Sequence, residues 1–346
     1  MPIQSLTRFP LNEKALHETA LAMVAKGKGL LAADESTGTI KKRFDKINVE
    51  NTEANRQAYR DMLFTTPGFE QHTSGVILFE ETLFQKSLAG PTFAELLTSK
   101  GVIPGIKVDK GAQALAGGGL EETITEGLDG LRERLAKYHA AGARFAKWRA
   151  VITINDEAPS DYAIHTNAHA LARYAALCQE AGIVPIVEPE VLMDGDNSIE
   201  VTEEVTDIVL DAVFGELSAQ GVLLEGIILK PNMVVPGIQC ATQNSVQEVA
   251  EATLRVLKRR VPIAVPGIAF LSGGQSDVLA TAHLDAMNKI GGFTWGLTFS
   301  YGRALQAAAL KAWGGSNVEA GKAAHLHRAK MNGLAAQGQW SQSLEK

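Results

Sequence analysis

Lysines and carboxylates close a series of short apolar runs in this chain. "GIILK" ends on Lys230 and is stopped by Pro231. "RFAKWR" carries Lys147 and Arg149, and "IPGIKVDK" carries Lys107. "GLLAAD" ends on Asp34, and "GIVPIVEPE" ends on Glu188 and Glu190. An ammonium that is partly desolvated and close to other cations loses its proton more easily. A neutral lysine is a nucleophile toward carbonyls and forms Schiff bases. Lys147 is the natural cationic neighbour of Lys230, because their runs are two apart in order. Glu188 lies on the intervening run, where a carboxylate can shuttle protons through carbinolamine formation and dehydration. A single lysine of this kind ordinarily snorkels to solvent or pairs with a surface acid. Three of them above apolar runs, with acids in the same layer, point to a reactive cluster. Structural ion pairing is the alternative, and one of Glu188 and Glu190 then serves only to orient a partner.

Phosphate binding has its own signals. "LSGGQS", residues 271 to 276, places Ser272 and Gly273 after an apolar run and before a helix. Backbone amides there can form an anion-binding nest. "SYGR" repeats the logic with Ser300, Gly302 and Arg303 and adds a guanidinium. A second set comprises Ser36 and Thr39 in "DESTGTIKKR", with Lys107 and Arg149. Two anion sites flanking a lysine cluster suggest a doubly phosphorylated substrate. The competing reading of Gly273-Gly274 is a plain turn.

The elements that must position these groups recur as one unit. Eight short runs rich in Val, Ile, Leu or Phe each end in polar residues: "GLLAAD", "GVILFEE", "IPGIKVDK", "RFAKWR", "GIVPIVEPE", "GIILK", "GIAFLSGG" and "WGLTFSYGR". Helical patterns fall between most of them. The spacing predicts helices over 121–141, 161–181, 202–220 and 246–260, the last opened by a capping box of Ser245 and Glu248. Between Leu83 and Lys100 any helix is short. An opening helix is expected over 11–26, with Ala15, Leu16, Ala20 and Met23 at helical spacing. Alternating strands and helices imply a parallel sheet with right-handed crossovers. Eight units are the count of a closed (β/α)8 barrel, whose active residues sit at the C-terminal ends of the strands. The leading helix and a helical extension from about Val318 account for the surplus length. No linker divides the 346 residues, so one domain is expected. A doubly wound open sheet is the alternative fold, but no Gly-x-Gly-x-x-Gly follows the first run.

Composition sets the compartment and excludes several partners. Hydrophobic residues are 45% and charged residues 21%, which allows a full core. The net charge of -6 disfavours a general nucleic-acid or anionic-membrane binder. Cys178 and Cys240 form neither a disulfide framework nor a thiolate metal site. "MPIQSLTRFPLNEK" lacks the apolar centre of a signal peptide, and no run reaches the roughly 18 apolar residues of a membrane span. A soluble, cytoplasmic protein is expected. His165 and His169 have helical spacing but no Glu in a His-Glu-x-x-His arrangement, so no metal is expected. His325 and His327 are expected on an exposed helix face. Gly117 to Gly119 read as a flexible loop, and Lys258 to Arg260 as a basic helix end that suits the helix dipole.

Read together, "LAADESTGTIKKR", "GIKVDKG", "FAKWR", "PIVEPE", "LKPNM", "LSGGQS", "TFSYGRALQ" and "LKAWGG" resemble class I fructose-bisphosphate aldolase, in order, from about residue 27 to 339. The resemblance implies a (β/α)8 barrel and a Schiff base on Lys230. It makes Glu188 the acid/base of the carbinolamine and dehydration steps. Asp34 becomes the carboxylate that takes the C4 hydroxyl proton as the C3–C4 bond breaks. Glu190 and Lys147 set the charge balance. Ser272, Gly273, Gly302 and Arg303 fall on motifs that hold the C1 phosphate. Ser36, Thr39, Lys107 and Arg149 fall near the C6 phosphate, with Arg43 beside them. Thr39 stands where animal members have serine, which keeps the hydroxyl. No metal or other cofactor is implied, and the family is commonly tetrameric. Animal members end in a tail with a C-terminal tyrosine that assists enamine protonation. This sequence ends in "QGQWSQSLEK", so weaker control over the enamine is expected. Other Schiff-base barrels that need only one phosphate, a metal-dependent aldolase or phosphosugar isomerase, and an inactive scaffold are the rival readings.

Overall fold

Eight parallel strands close on themselves in the computed structural model, which describes residues 12–156 and 159–346. They are β1 (Gly29–Ala33), β2 (Thr73–Leu78), β3 (Ile103–Lys107), β6 (Phe145–Ile152), β7 (Val184–Val191), β8 (Ile228–Leu229), β9 (Gly267–Phe270) and β10 (Gly296–Tyr301). The remaining two, β4 (Ala112–Ala114) and β5 (Thr123–Thr125), form a separate antiparallel hairpin above β3 in sequence. Each barrel strand pairs with its neighbour in chain order, and β10 returns to β1. All eight apolar runs are therefore barrel strands. Both faces of a parallel sheet are covered, which is why these strands are nearly continuous apolar runs.

Side chains alternate between the lumen and the helical layer. Leu30, Ala32, Ile77, Phe145, Val184, Ile186, Ile228 and Ala269 form one buried cluster inside the barrel. Leu31, Ala33, Ala146, Trp148, Val187 and Leu229 belong to the larger cluster between sheet and helices. The opening helix, Glu13–Met23, adds Leu16, Ala20 and Met23 to the lumen cluster and plugs the barrel's N-terminal end. Ala15, expected on the same face, is exposed, and Leu11 lies outside the described residues. Phe145 fills the lumen only because Gly105 faces it: a Cβ on Gly105 would lie 2.2 Å from the ring.

The helices follow the predicted pattern with one correction. Helices at Asp161–Glu180, Ile199–Ala219 and Val246–Arg260 match their expected spans, and the Ser245/Glu248 capping box is formed. The 83–100 region holds the end of a short helix, Glu80–Phe84, and a second one, Phe93–Ser99. The helix expected over 121–141 is confined to Leu131–Ala140. Its first part holds β5, which pairs with β4 instead, and Gly127 and Gly130 take positive φ between strand and helix. Gly117 to Gly119 lie in the connection between those two strands. The extension from Val318 is a helix to Ala335. His325 on it is fully buried, against the expectation of an exposed face. Its ring lies 5.7 Å from that of Phe69. Arg259 and Arg260 do more than complement a dipole, since both pair with Asp207. No helix of the described residues is long and apolar enough to cross a membrane.

Candidate active site

The two-residue period of the strands carries the lumen face upward into charge. Phe145 is followed on its face by Lys147 and Arg149, Ile186 by Glu188 and Glu190, and Ile228 by Lys230. Lys230 thus continues the inward face of β8 into the mouth. Register sets these groups side by side: Lys107 is level with Lys147, and Arg149 with Glu188. Pro231 does not disturb the seat, because the Lys230 amide donates to the Val187 carbonyl at 2.8 Å.

Lys230, Glu188 and Lys147 are 4%, 3% and 4% exposed. Lys230 Nζ is 3.2 Å from Glu188 Oε1, and Lys147 Nζ is 3.6 Å from Glu188 Oε2. Lys147 also reaches Asp34 Oδ2 at 2.7 Å and Asp109 Oδ2 at 3.9 Å. One carboxylate therefore stands between two lysines, and the second lysine bridges to another acid. Burial pushes the Asp34 carboxyl up, but Lys147, Lys230 and Lys107 outweigh it and hold Asp34 well below the usual carboxylate range. Burial pushes the Lys147 ammonium down, but Asp34, Glu188 and Asp109 outweigh it and hold it above the usual lysine range. Lys147 is a standing cation and Asp34 a standing anion.

The phosphate candidates fall into two neighbouring places. Asp34, Ser36, Thr39, Arg43, Lys107, Lys147, Arg149 and Gly302 line one cleft of about 320 Å³. Ser36 caps the helix Thr37–Phe44, and its hydroxyl is 3.1 Å from that of Thr39. Ser272, Gly273 and Glu190 lie around a second, much smaller cavity beside it. Arg303 donates to the Gly273 carbonyl, so the eighth strand end is tied to the seventh loop. That loop is braced from behind. Gln275 donates to the Ser272 carbonyl at 3.1 Å, and His283 Nδ1 meets Gln275 Oε1 at 2.6 Å. Burial pushes the His283 imidazole down to about 4, so it braces as a neutral ring. Ser300 is buried and lines neither cavity. Gly302 sits with Arg43 and the Ser36 set, rather than with Ser272.

Sequence reasoning named Glu190 as a possible orienting partner but passed over Asp109 and Glu35, the partners of the other cations. Lys107 Nζ donates to Asp109 Oδ1 at 2.5 Å and to the Asp109 carbonyl at 2.8 Å. Arg43 donates to Glu35, whose carboxylate also accepts from Gln306 at 2.8 Å. Buried Arg60 donates to the Glu35 carbonyl at 2.9 Å. Arg149 donates to Glu190. The signal was present, since Asp109 and Glu35 each stand within two residues of a quoted site residue. Both follow the last strand residue, where alternation no longer predicts direction.

Among the described residues no group of three or more His, Cys, Asp or Glu side chains could hold a metal ion. His169 pairs with Glu216 at 3.0 Å. A cavity of about 850 Å³ runs past Phe84, Val102 and Ala141 on the barrel's flank and contains none of the site residues described above.

The family described as "Fructose-bisphosphate aldolase class-I" matches residues 15–346. A probable fructose-bisphosphate aldolase class 1 of Xanthomonas campestris is 57% identical over 328 residues, covering 94% of this chain and 98% of the relative. Cytosolic fructose-bisphosphate aldolase 4 of Arabidopsis thaliana is 57% identical over 315 residues, covering 90% and 80%. The crystal structure of fructose-bisphosphate aldolase from Plasmodium falciparum, in complex with TRAP and a small-molecule inhibitor, is 52% identical. It superposes with a TM-score of 0.93 over 95% of this chain and 96% of that one. With nearly its whole length matched at this identity, the chain belongs to the class I fructose-bisphosphate aldolases.

Proposed function

We propose that Lys230 forms the Schiff base in a reversible aldol cleavage of fructose 1,6-bisphosphate. The observation that carries this reading is the buried relay Lys230–Glu188–Lys147–Asp34, with contacts of 3.2, 3.6 and 2.7 Å. Neutral Lys230 attacks the C2 ketone and gives a carbinolamine. Glu188, beside Nζ and carrying the proton that Lys230 gave up to become the free amine, protonates the departing hydroxyl, and water leaves. The resulting iminium draws electrons from the C3–C4 bond as Asp34 takes the C4 hydroxyl proton. Glyceraldehyde 3-phosphate departs and an enamine remains. Protonation at C3 and hydrolysis release dihydroxyacetone phosphate and restore Lys230. The iminium supplies the electron sink, so this route calls for no metal or other cofactor.

Lys147 stabilises the ionised forms of Asp34 and Glu188 in turn, and Glu190 orients Arg149. Ser272, Gly273 and Arg303 hold the C1 phosphate; Gly302 lines the neighbouring cleft with Arg43, and Ser300 is buried and lines neither. Ser36, Thr39, Lys107 and Arg149 hold the C6 phosphate, with Arg43 at the boundary of the two sets. A homotetramer in the cytoplasm is the assembly and location we propose, on family grounds.

The test is chemical trapping. The protein is incubated with dihydroxyacetone phosphate, reduced with borohydride and mapped by mass spectrometry beside Lys230→Met. A reduced adduct on the Lys230 peptide, absent from the variant, is expected. An adduct on another lysine would move the nucleophile, and activity without any adduct would overturn the mechanism.

A further inference from the structure

The loop 272–276 rests on sulfur. Gly273 takes a φ of +55°, the turn that directs consecutive amides into one concavity. Yet the Gly274 N–H already has a partner: it donates to Met193 Sδ at 3.0 Å. The same sulfur lies 3.2 Å from where a Cβ on Gly273 or Gly274 would be, so the thioether packs against both glycines. Met193 is held there by its own backbone, whose carbonyl accepts from Ile238 at 2.7 Å.

A thioether is a weak acceptor. A phosphate oxygen that takes over the Gly274 N–H therefore displaces little, and the amide is kept in place until then. A sulfoxide oxygen in its place is a strong, polar acceptor on the same side chain. It would hold the Gly274 N–H against the incoming phosphate.

Exposure singles out this methionine. Met23, Met62, Met233, Met287 and Met331 are all at least 97% buried. Met193 alone among the described methionines is partly exposed. An aqueous peroxide meets it before the others.

We propose that Met193 is an oxidation site that sets how tightly the Ser272–Ser276 loop takes a phosphate. The inference rests on the proposed function of that loop. In the step, the Met193 sulfur attacks one oxygen of a hydroperoxide. The S–O bond forms as the O–O bond breaks, sulfur loses two electrons, and the peroxide leaves as water or an alcohol.

The experiment treats the full-length enzyme with hydrogen peroxide until peptide mapping finds one added oxygen on the Met193 peptide. KM and kcat for fructose 1,6-bisphosphate are then compared with each enzyme's own untreated state, for the native chain and for Met193→Leu. The native chain is expected to gain about fivefold in KM with kcat nearly kept, and to recover on treatment with a methionine sulfoxide reductase. Met193→Leu keeps its KM through the same treatment, and Met193→Gln, a permanent strong acceptor, has a raised KM without peroxide. Met193 sulfoxide with an unchanged KM would overturn the proposal, as would an equal rise in Met193→Leu or oxidation of the buried methionines first. Borohydride trapping on the untreated enzyme separates the two readings. An adduct at Lys230 with no KM shift removes this inference alone, whereas no adduct removes the proposed function and this inference with it.

Discussion

Glu188 Oε1 stands 3.2 Å from Lys230 Nζ, and its other oxygen faces Lys147. A carboxylate in that position can pass one proton to and from the carbinolamine without moving. Glu188→Gln keeps the shape and removes the proton transfer. General acid–base catalysis is worth roughly 10²–10⁴ in rate, so kcat should fall by about a thousandfold while KM changes little. Single-turnover borohydride trapping should show the adduct forming slowly but still on Lys230. A variant with a near-normal trapping rate would assign the proton transfer elsewhere.

Lys147 is the cation on which three acids depend, since it lies within 4 Å of Asp34, Glu188 and Asp109. Lys147→Met therefore leaves buried carboxylates unbalanced. Breaking such a set from one side costs roughly 3–5 kcal/mol. The urea midpoint should drop accordingly, and kcat should fall by at least about a hundredfold with it. Lys147→Arg restores charge but not the compact reach of an ammonium, so it should recover the midpoint more than the rate. Full recovery of both by arginine would mean that only charge matters at this position.

Asp109 supplies two acceptors to Lys107, its carboxylate and its own carbonyl. An ammonium has three donors, so one is left to meet a phosphate. Asp109→Ala unseats the ammonium, and the affinity for the phosphate it serves should fall. KM for fructose 1,6-bisphosphate should rise about tenfold, while KM for fructose 1-phosphate stays within about twofold. Equal rises for both sugars would indicate general damage to the mouth rather than a lost phosphate contact.

The barrel was legible because its strands are buried on both faces and stand out as aliphatic runs. The lysines and acids were legible because each follows such a run with the period of the strand. The failures share a physical cause. The stretch 121–130 carries a partial helical spacing, but β5 finds a partner in β4, ten or so residues upstream, which no local window sees. Asp109 and Glu35 sit past the ends of their strands, where direction is set by Gly111 and by Arg43 and Gln306. His325 has polar neighbours in sequence. It is nonetheless buried, because the helix Val318–Ala335 packs against Arg303–Trp313 and the Phe69 turn.

That buried histidine has a consequence for stability. Burial pushes the His325 imidazole down to about 4, and its Nδ1 lies 3.3 Å from Thr66 Oγ1. The unfolded chain protonates this group near its ordinary value of about 6.5, ahead of the folded protein. Stability from keeping the ring neutral is thus complete above about pH 6.5 and is lost progressively as pH falls toward 4. At about pH 5 the loss is on the order of 2 kcal/mol for His325, and His283, depressed to a similar value, adds a comparable amount. The urea midpoint of the native chain should decline between about pH 7.5 and 5, and His325→Gln should decline by roughly half as much. The comparison is of slopes with pH, so a uniform packing defect in the variant does not affect it. Equal slopes would mean that His325 titrates near its ordinary value in the fold, and that the ring has access to water along the helix pair.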